Sequence, residues 1–221
     1  MRFTTKRPEP DKALTVVLTG DGEWEKHVLA GLANKLDGGH LLWWPKLDAP
    51  GLRPEERKPR GLGPLLRAVR TVLRLYPDIL AGRRCSFLLL IDKEHLPPSA
   101  SLPDVLEERF PRDAAARVRS SATIRPDVVL TTVEDRPGRL HRICVVALGR
   151  GRCLDENIAL LLGLRAGREV RADKKAILRA LRETGVGHVR ELVAQASVEE
   201  LQEAFPELIS ALRALVEGQT I

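Results

Sequence analysis

Short, unbroken apolar runs alternate along this chain with stretches whose apolar residues recur every three or four positions. The runs at 14–18 (LTVVL), 40–44 (HLLWW) and 87–91 (FLLLI) sit between turn residues. Runs of that length read as strands buried on both faces, as inside a parallel sheet. Between them, Trp24, Val28, Leu29, Leu32 and Leu36 form one helical stripe over 23–36. Leu65, Leu66, Val69, Val72, Leu73 and Tyr76 form a second over 63–76. The period fits helices with one buried side. Two further apolar runs, 128–133 and 140–148, flank a Glu-Asp-Arg-Pro-Gly connection and read as a hairpin.

The remaining stretches complete the outline. Residues 1–13 are polar, hold two prolines, and are expected to form a flexible arm. Five prolines between 45 and 64 predict an exposed loop. Residues 97–121 read as a polar connection with short helices near 105–110 and 112–119. A helix is expected over 154–162, and four more over 173–183, 187–195, 198–205 and 207–217. Ser197 and Glu200 make a capping box, and Pro206 starts the last helix.

Strands alternating with helices predict an α/β fold, with a mostly parallel central sheet and helices on both faces. That domain would span 14–165, followed by a small all-helical C-terminal subdomain over 173–221. Hydrophobic residues at 43% and charged residues at 30% fit a globular chain with one sizeable core. No apolar run approaches the ~20 residues needed to span a bilayer, so no membrane partner is expected. The N-terminus lacks the apolar segment of a secretory signal. Cys85, Cys144 and Cys153 have no paired spacing and read as reduced thiols of a cytoplasmic protein. Asn34, Asn157, Gln195, Gln202 and Gln219 are the only amides and Met1 the only methionine, a bias of thermophile proteins. The net charge of +6 favours a polyanionic partner, most simply nucleic acid.

Candidate chemistry gathers at two strand ends. The run 87–91 leads into Asp92-Lys93-Glu94-His95. In open α/β sheets the chemistry lies just beyond the carboxyl ends of the strands. On an extended backbone Asp92 and Glu94 would point the same way, and two oxygen ligands suit Mg²⁺ or Mn²⁺. The plainer alternative is a polar strand end with an aspartate helix cap. A lone histidine after a strand is more often structural, which makes His95 the weaker candidate. The first run leads into Gly20-Asp21-Gly22-Glu23. That turn could cradle an anion at a helix N-terminus, or Asp21 or Glu23 could hold a metal. The helix dipole alone also favours acids there.

Together these ends resemble the Toprim fold of topoisomerases, primases and related nucleases. In that family a glutamate before a glycine ends the first strand, and an Asp-x-Asp ends a later central one. The resemblance implies that Asp92 and Glu94 bind Mg²⁺ and that Glu23 moves a proton or completes the coordination, with Asp21 as its substitute. It also implies a further metal ligand, Glu156, on the helix expected over 154–162. Two departures stand out. Thr19 occupies the place of the family's glutamate, and Glu94 replaces the second aspartate.

Basic residues form further sets. Arg67, Arg70 and Arg74 share a helix face, and Arg150 and Arg152 follow the strand 140–148. Phosphate contacts from such residues position a nucleic acid without reading its sequence, although a solvated helix face explains the first three equally well. Lys93 and Arg150 could offset charge on a phosphate. Gly185-Val186-Gly187 between two helices resembles a helix-hairpin-helix element, which binds nucleic-acid backbones through main-chain N–H groups. Its alternative is a glycine helix stop, and Glu191 stands where the second helix should carry a small residue. The expectation is a Mg²⁺- or Mn²⁺-dependent, nuclease-like phosphoryl-transfer enzyme acting on nucleic acid. The alternative is a catalytically inactive nucleic-acid-binding or complex-assembly protein of the same fold.

Overall fold

The structure is a computed structural model. It describes residues 1–8, 14–20, 22–36, 40–47, 52, 57, 59–80, 85–97, 100–135 and 138–217, with the backbone alone at Glu23. Asp21 and residues 37–39, where the first helix was expected to stop, lie outside the described residues.

Seven strands form one sheet: β1 (Arg2–Thr4), β2 (Leu14–Thr19), β3 (Leu41–Trp43), β4 (Cys85–Asp92), β5 (Arg117–Arg125), β6 (Val128–Glu134) and β7 (Leu140–Leu148), in the order β1-β3-β2-β4-β7-β6-β5. The five strands from β1 to β7 run parallel, and β6 and β5 add antiparallel. The mostly parallel α/β sheet is therefore present. From β2 the chain crosses to β3 on one side and then to β4 on the other. This reversal of direction puts a topological switch point between the carboxyl ends of β2 and β4, where such sheets leave a crevice.

Alternate side chains of the central strands feed two cores. Val17, Leu42, Leu88, Leu90, Cys144 and Val146 face helices α1 (Glu23–Ala33) and α5 (Leu154–Ala166). Val16, Leu18, Phe87, Leu89, Ile91 and Val145 face α2 (Leu62–Leu75), with the short α3 (Pro77–Leu80) and α4 (Leu102–Arg109) beside it. The tail forms α6 (Lys174–Glu183), α7 (Val189–Gln195), α8 (Val198–Ala204) and α9 (Pro206–Glu217), with the Ser197–Glu200 capping box in place. These helices do not stand apart, since their buried residues share one core with α1, α5 and the sheet. Close packing of α7 on α1 depends on Gly31, where a Cβ would come within 2.7 Å of Val193. Among the described residues no helix is long and apolar enough to cross a membrane.

Two expectations are corrected. Inside the expected arm, Arg2–Thr4 is an edge strand whose backbone pairs with β3. Its three residues are too few to show a period. The expected helix over 112–119 is replaced by a π-helical turn, Phe110–Ala114, and the start of β5. Ala115 stops the turn in the left-handed region, at φ 50°. The strand β5 escapes pattern reading because it is an edge exposed on nearly every residue, with ladder irregularities near Arg119 and Ile124. Charges and bulges of this kind keep an edge strand from pairing with another chain.

Candidate functional site

Asp92 is the last residue of β4 and is 8% exposed. The backbone then turns at once into a 3₁₀ segment, Lys93–His95. Glu94 therefore reaches the side of Asp92 through a turn and not through the strand pleat, which corrects the geometric argument from spacing. The tight turn also brings in His95. Carboxylate oxygens of Asp92 and Glu94 and an imidazole nitrogen of His95 all lie within 4.8 Å of one another.

The neighbouring strand supplies the walls. Gly149, at φ 101°, bends the chain after β7 so tightly that a Cβ there would come within 2.4 Å of the Cys153 nitrogen. The loop that follows is tied to the acids at three points. The Leu154 N–H, at the start of α5, donates to Asp92 Oδ1 at 2.9 Å. The Glu94 N–H donates to the Arg152 carbonyl at 2.9 Å, and Arg152 Nη2 donates to Glu94 Oε2 at 3.0 Å. The N-cap position of α5, Cys153, makes no side-chain cap bond, so Asp92 caps that helix from another strand. The plainer alternative for Asp92, a helix cap, is thus realised. A carboxylate has about four acceptor sites, and the cap bond occupies one of them.

Charge in this corner is concentrated. Burial pushes the Asp155 carboxyl up, and the carboxylates of Glu94 and Asp173 add to that against the pull of Lys174. The Cys153 thiol is likewise pushed up, by burial first and then by the charges of Asp155, Asp92 and Glu94. Glu156 behaves differently. Burial raises its pKa, but N–H groups from Arg152, Gly151, Arg150 and Cys153 together outweigh that and hold it below the ordinary glutamate value. Its Oε2 accepts from Gly151 N at 2.7 Å and Arg152 N at 2.9 Å. Glu156 staples the loop, and it is not among the converging ligand atoms.

The other expected residues scatter. The backbone of Glu23 begins α1. Lys93 pairs with Asp127 at 2.8 Å, in the turn between β5 and β6. Arg67 pairs with Asp113 at 2.9 Å. Arg70 and Arg74 line a hollow with Asp135, Arg139 and His141, beside the start of β7 and so at the opposite end of the sheet from Asp92. The arginine row of α2 therefore leads away from the acids. Arg150 is exposed and borders a groove along α5. At Gly185, φ 71°, the Val186 N–H donates to the Leu181 carbonyl and the Gly185 N–H to the Arg182 carbonyl, the two hydrogen bonds of a glycine helix stop. The Gly187 N–H donates to Glu191 Oε2 at 3.0 Å. The main-chain donors that a helix-hairpin-helix would turn toward phosphate are committed inside the protein.

Asp155 and Cys153 join the corner without having been singled out, because only the bend at Gly149 brings them to Glu94. No family model, curated protein or solved structure matches the chain.

Proposed function

We propose that the chain is a divalent-metal-dependent phosphoryl-transfer enzyme of the nuclease kind, with a Toprim-like arrangement of strand ends and nucleic acid as its substrate. The observation that carries this is the convergence of Asp92, Glu94 and His95 at the switch point of a parallel sheet. Two carboxylates and an imidazole suit Mg²⁺ or Mn²⁺ by donor type. Around an octahedral ion with bonds near 2.1 Å, neighbouring ligands lie about 3.0 Å apart and opposite ones about 4.2 Å, so three atoms within 4.8 Å of one another would have to draw closer on binding. A metal held there would polarise a phosphoryl oxygen and lower the pKa of bound water.

The chain's own residues would do the rest. The Leu154 N–H fixes the Asp92 carboxylate in place, as outer-shell partners do for metal ligands. Arg152 sits on Glu94 and must give way or swing toward a phosphate when a cation enters. Arg150, exposed on the same loop, could contact the backbone of a nucleic acid. With Cys85, Cys144 and Cys153 unpaired, a reducing, cytoplasmic setting fits best.

A specific observation favours the second reading, a non-catalytic nucleic-acid-binding or assembly protein. The end of β2 beside Asp92 carries Thr19, which cannot act as a general base at neutral pH. Calorimetry with Mn²⁺, wild type against Asp92→Asn/Glu94→Gln, separates the two. Asparagine still accepts from Leu154, so the fold should survive. Binding lost in the variant, with metal-dependent cleavage of nucleic acid by the wild type alone, is the expected outcome. Binding without cleavage would favour the second reading, and no binding even with nucleic acid present would sink the metal site.

A further inference from the structure

The carboxyl ends of β2 and β3 open onto a cleft of about 740 Å³. That volume is within the roughly 300–1,000 Å³ of small-molecule sites. Its rim carries Lys26, Lys46, Arg57 and Arg60, drawn from three separate stretches of the chain. None of the four has an ion-pair partner among the described residues, and no described lining residue is acidic. The corner at Asp92 is the opposite, since its arginine and lysine are both paired. Four cations around one hollow, with no partner among the described residues, would repel one another, and an anion bound between them would relieve that.

The floor adds a hydrogen-bonding group. Thr19 lines the cleft, and its hydroxyl has no protein partner among the described residues and is not fully buried, so it is open to the cleft. Gly22, the N-cap of the eleven-residue α1, also lines the cleft, so the N-terminus of that helix, with first N–H groups that no Gly22 side chain can cap, borders the same space. The half-buried Trp44 lines the same cleft, with Pro45 and Pro59. An aromatic face beside a cationic rim suits a base linked to a phosphate.

We infer that this cleft binds a nucleoside phosphate, its phosphate held by Thr19, the start of α1 and the four cations, its base against Trp44. Either a free nucleotide or the phosphorylated 5′ end of a nucleic-acid strand offers that chemistry. The inference does not rest on the metal site, and the residues involved are different. It also gives Thr19 a task that a catalytic glutamate at that position would oppose, because a carboxylate there would repel the phosphate.

Calorimetry with adenosine 5′-monophosphate, a 5′-phosphorylated oligonucleotide and the same oligonucleotide with a 5′-hydroxyl tests it on the full chain. Binding of either phosphorylated probe, accompanied by quenching of Trp44 fluorescence, is expected, and the stronger one identifies the source. Thr19→Val, which keeps the shape, should weaken it roughly tenfold, the worth of one hydrogen bond to a charged group. Lys46→Ala/Arg60→Ala, on exposed positions, should weaken it at least as much. Asp92→Asn/Glu94→Gln should leave it unchanged, so failure of the metal proposal would not be mistaken for failure here. Equal binding of the 5′-hydroxyl strand, no binding of either phosphorylated probe, or affinities untouched by both cleft variants would overturn the inference.

Discussion

Two adjacent strand ends on one rim of this sheet are built on opposite terms. At the end of β4 three acidic or imidazole side chains converge, and two basic groups beside them are already engaged: Lys93 by Asp127, Arg152 by Glu94. At the end of β2 neither the cations of the cleft nor the Thr19 hydroxyl has a partner among the described residues. At the first end a ligand would have to compete with existing ion pairs, and at the second an anion would meet cations that have no partner among the described residues. If both proposals hold, neighbouring strands offer sites of opposite preference, one for a cation and one for an anion.

Each end rests on a glycine that leaves no room for a methyl group, and these two positions should break the comparison most sharply. Gly149→Ala would put a Cβ into the backbone of Cys153 at a residue already at φ 101°. We expect a loss of about 3 kcal/mol in urea unfolding. Mn²⁺ binding should fall with it, while binding in the β2 cleft persists under conditions where the variant remains folded. Gly31→Ala would press on Val193 and the Arg190 carbonyl, forcing α1 away from α7. The cost should be about 2 kcal/mol, from overpacking. Here the order reverses: the β2 cleft, whose floor includes the start of α1, should suffer, and the acid corner should not. If both variants impair both ends equally, the ends are not independent.

A smaller effect should separate the loop's staple from its metal-ligand reading. Glu156→Gln keeps the shape but weakens the hydrogen bonds to Gly151 and Arg152, at a cost of about 1 kcal/mol at neutral pH. Because the folded carboxyl lies below the ordinary value of 4.5, its contribution is complete above that pH. It fades as pH falls below 4.5 and through the lowered folded value. Stability curves of wild type and variant should therefore converge in acid. A gap that is constant with pH would mean that the charge of Glu156 does not hold the loop.

Much of this architecture was legible from the chain, and the misses have physical causes. The apolar runs of β2, β3, β4, β6 and β7 and the helical stripes of α1 and α2 announce themselves because both sheet faces are buried. The edge strand β5 buries almost nothing, so no alternation marks it. Asp92 and Glu94 were visible as a pair, yet their closeness comes from the 3₁₀ turn, which also adds His95. Of the β2 cleft only the Gly20–Gly22 turn was visible, as a possible anion cradle. Lys26, Lys46, Arg57 and Arg60 follow no motif, and only the placement of β3 beside β2 assembles them. The arginines of α2 were the converse case, a regular row that the helix carries to the wrong end of the sheet.

The smallest change should be the most informative about the acid corner. Arg152 is largely exposed, at 76%, so its pair with Glu94 contributes little to stability, about 0.5 kcal/mol or less. Arg152→Ala should leave urea unfolding almost unchanged. Its effect on Mn²⁺ is the useful quantity, because the guanidinium occupies a Glu94 oxygen that a metal would need. Removing it should tighten Mn²⁺ binding a few-fold and weaken the dependence of that binding on salt. Weaker Mn²⁺ binding in the variant would mean that Arg152 orients Glu94 and does not compete for it. The corner would then be organised around its ion pair, and the contrast with the β2 cations, which have no partner among the described residues, would be stronger still.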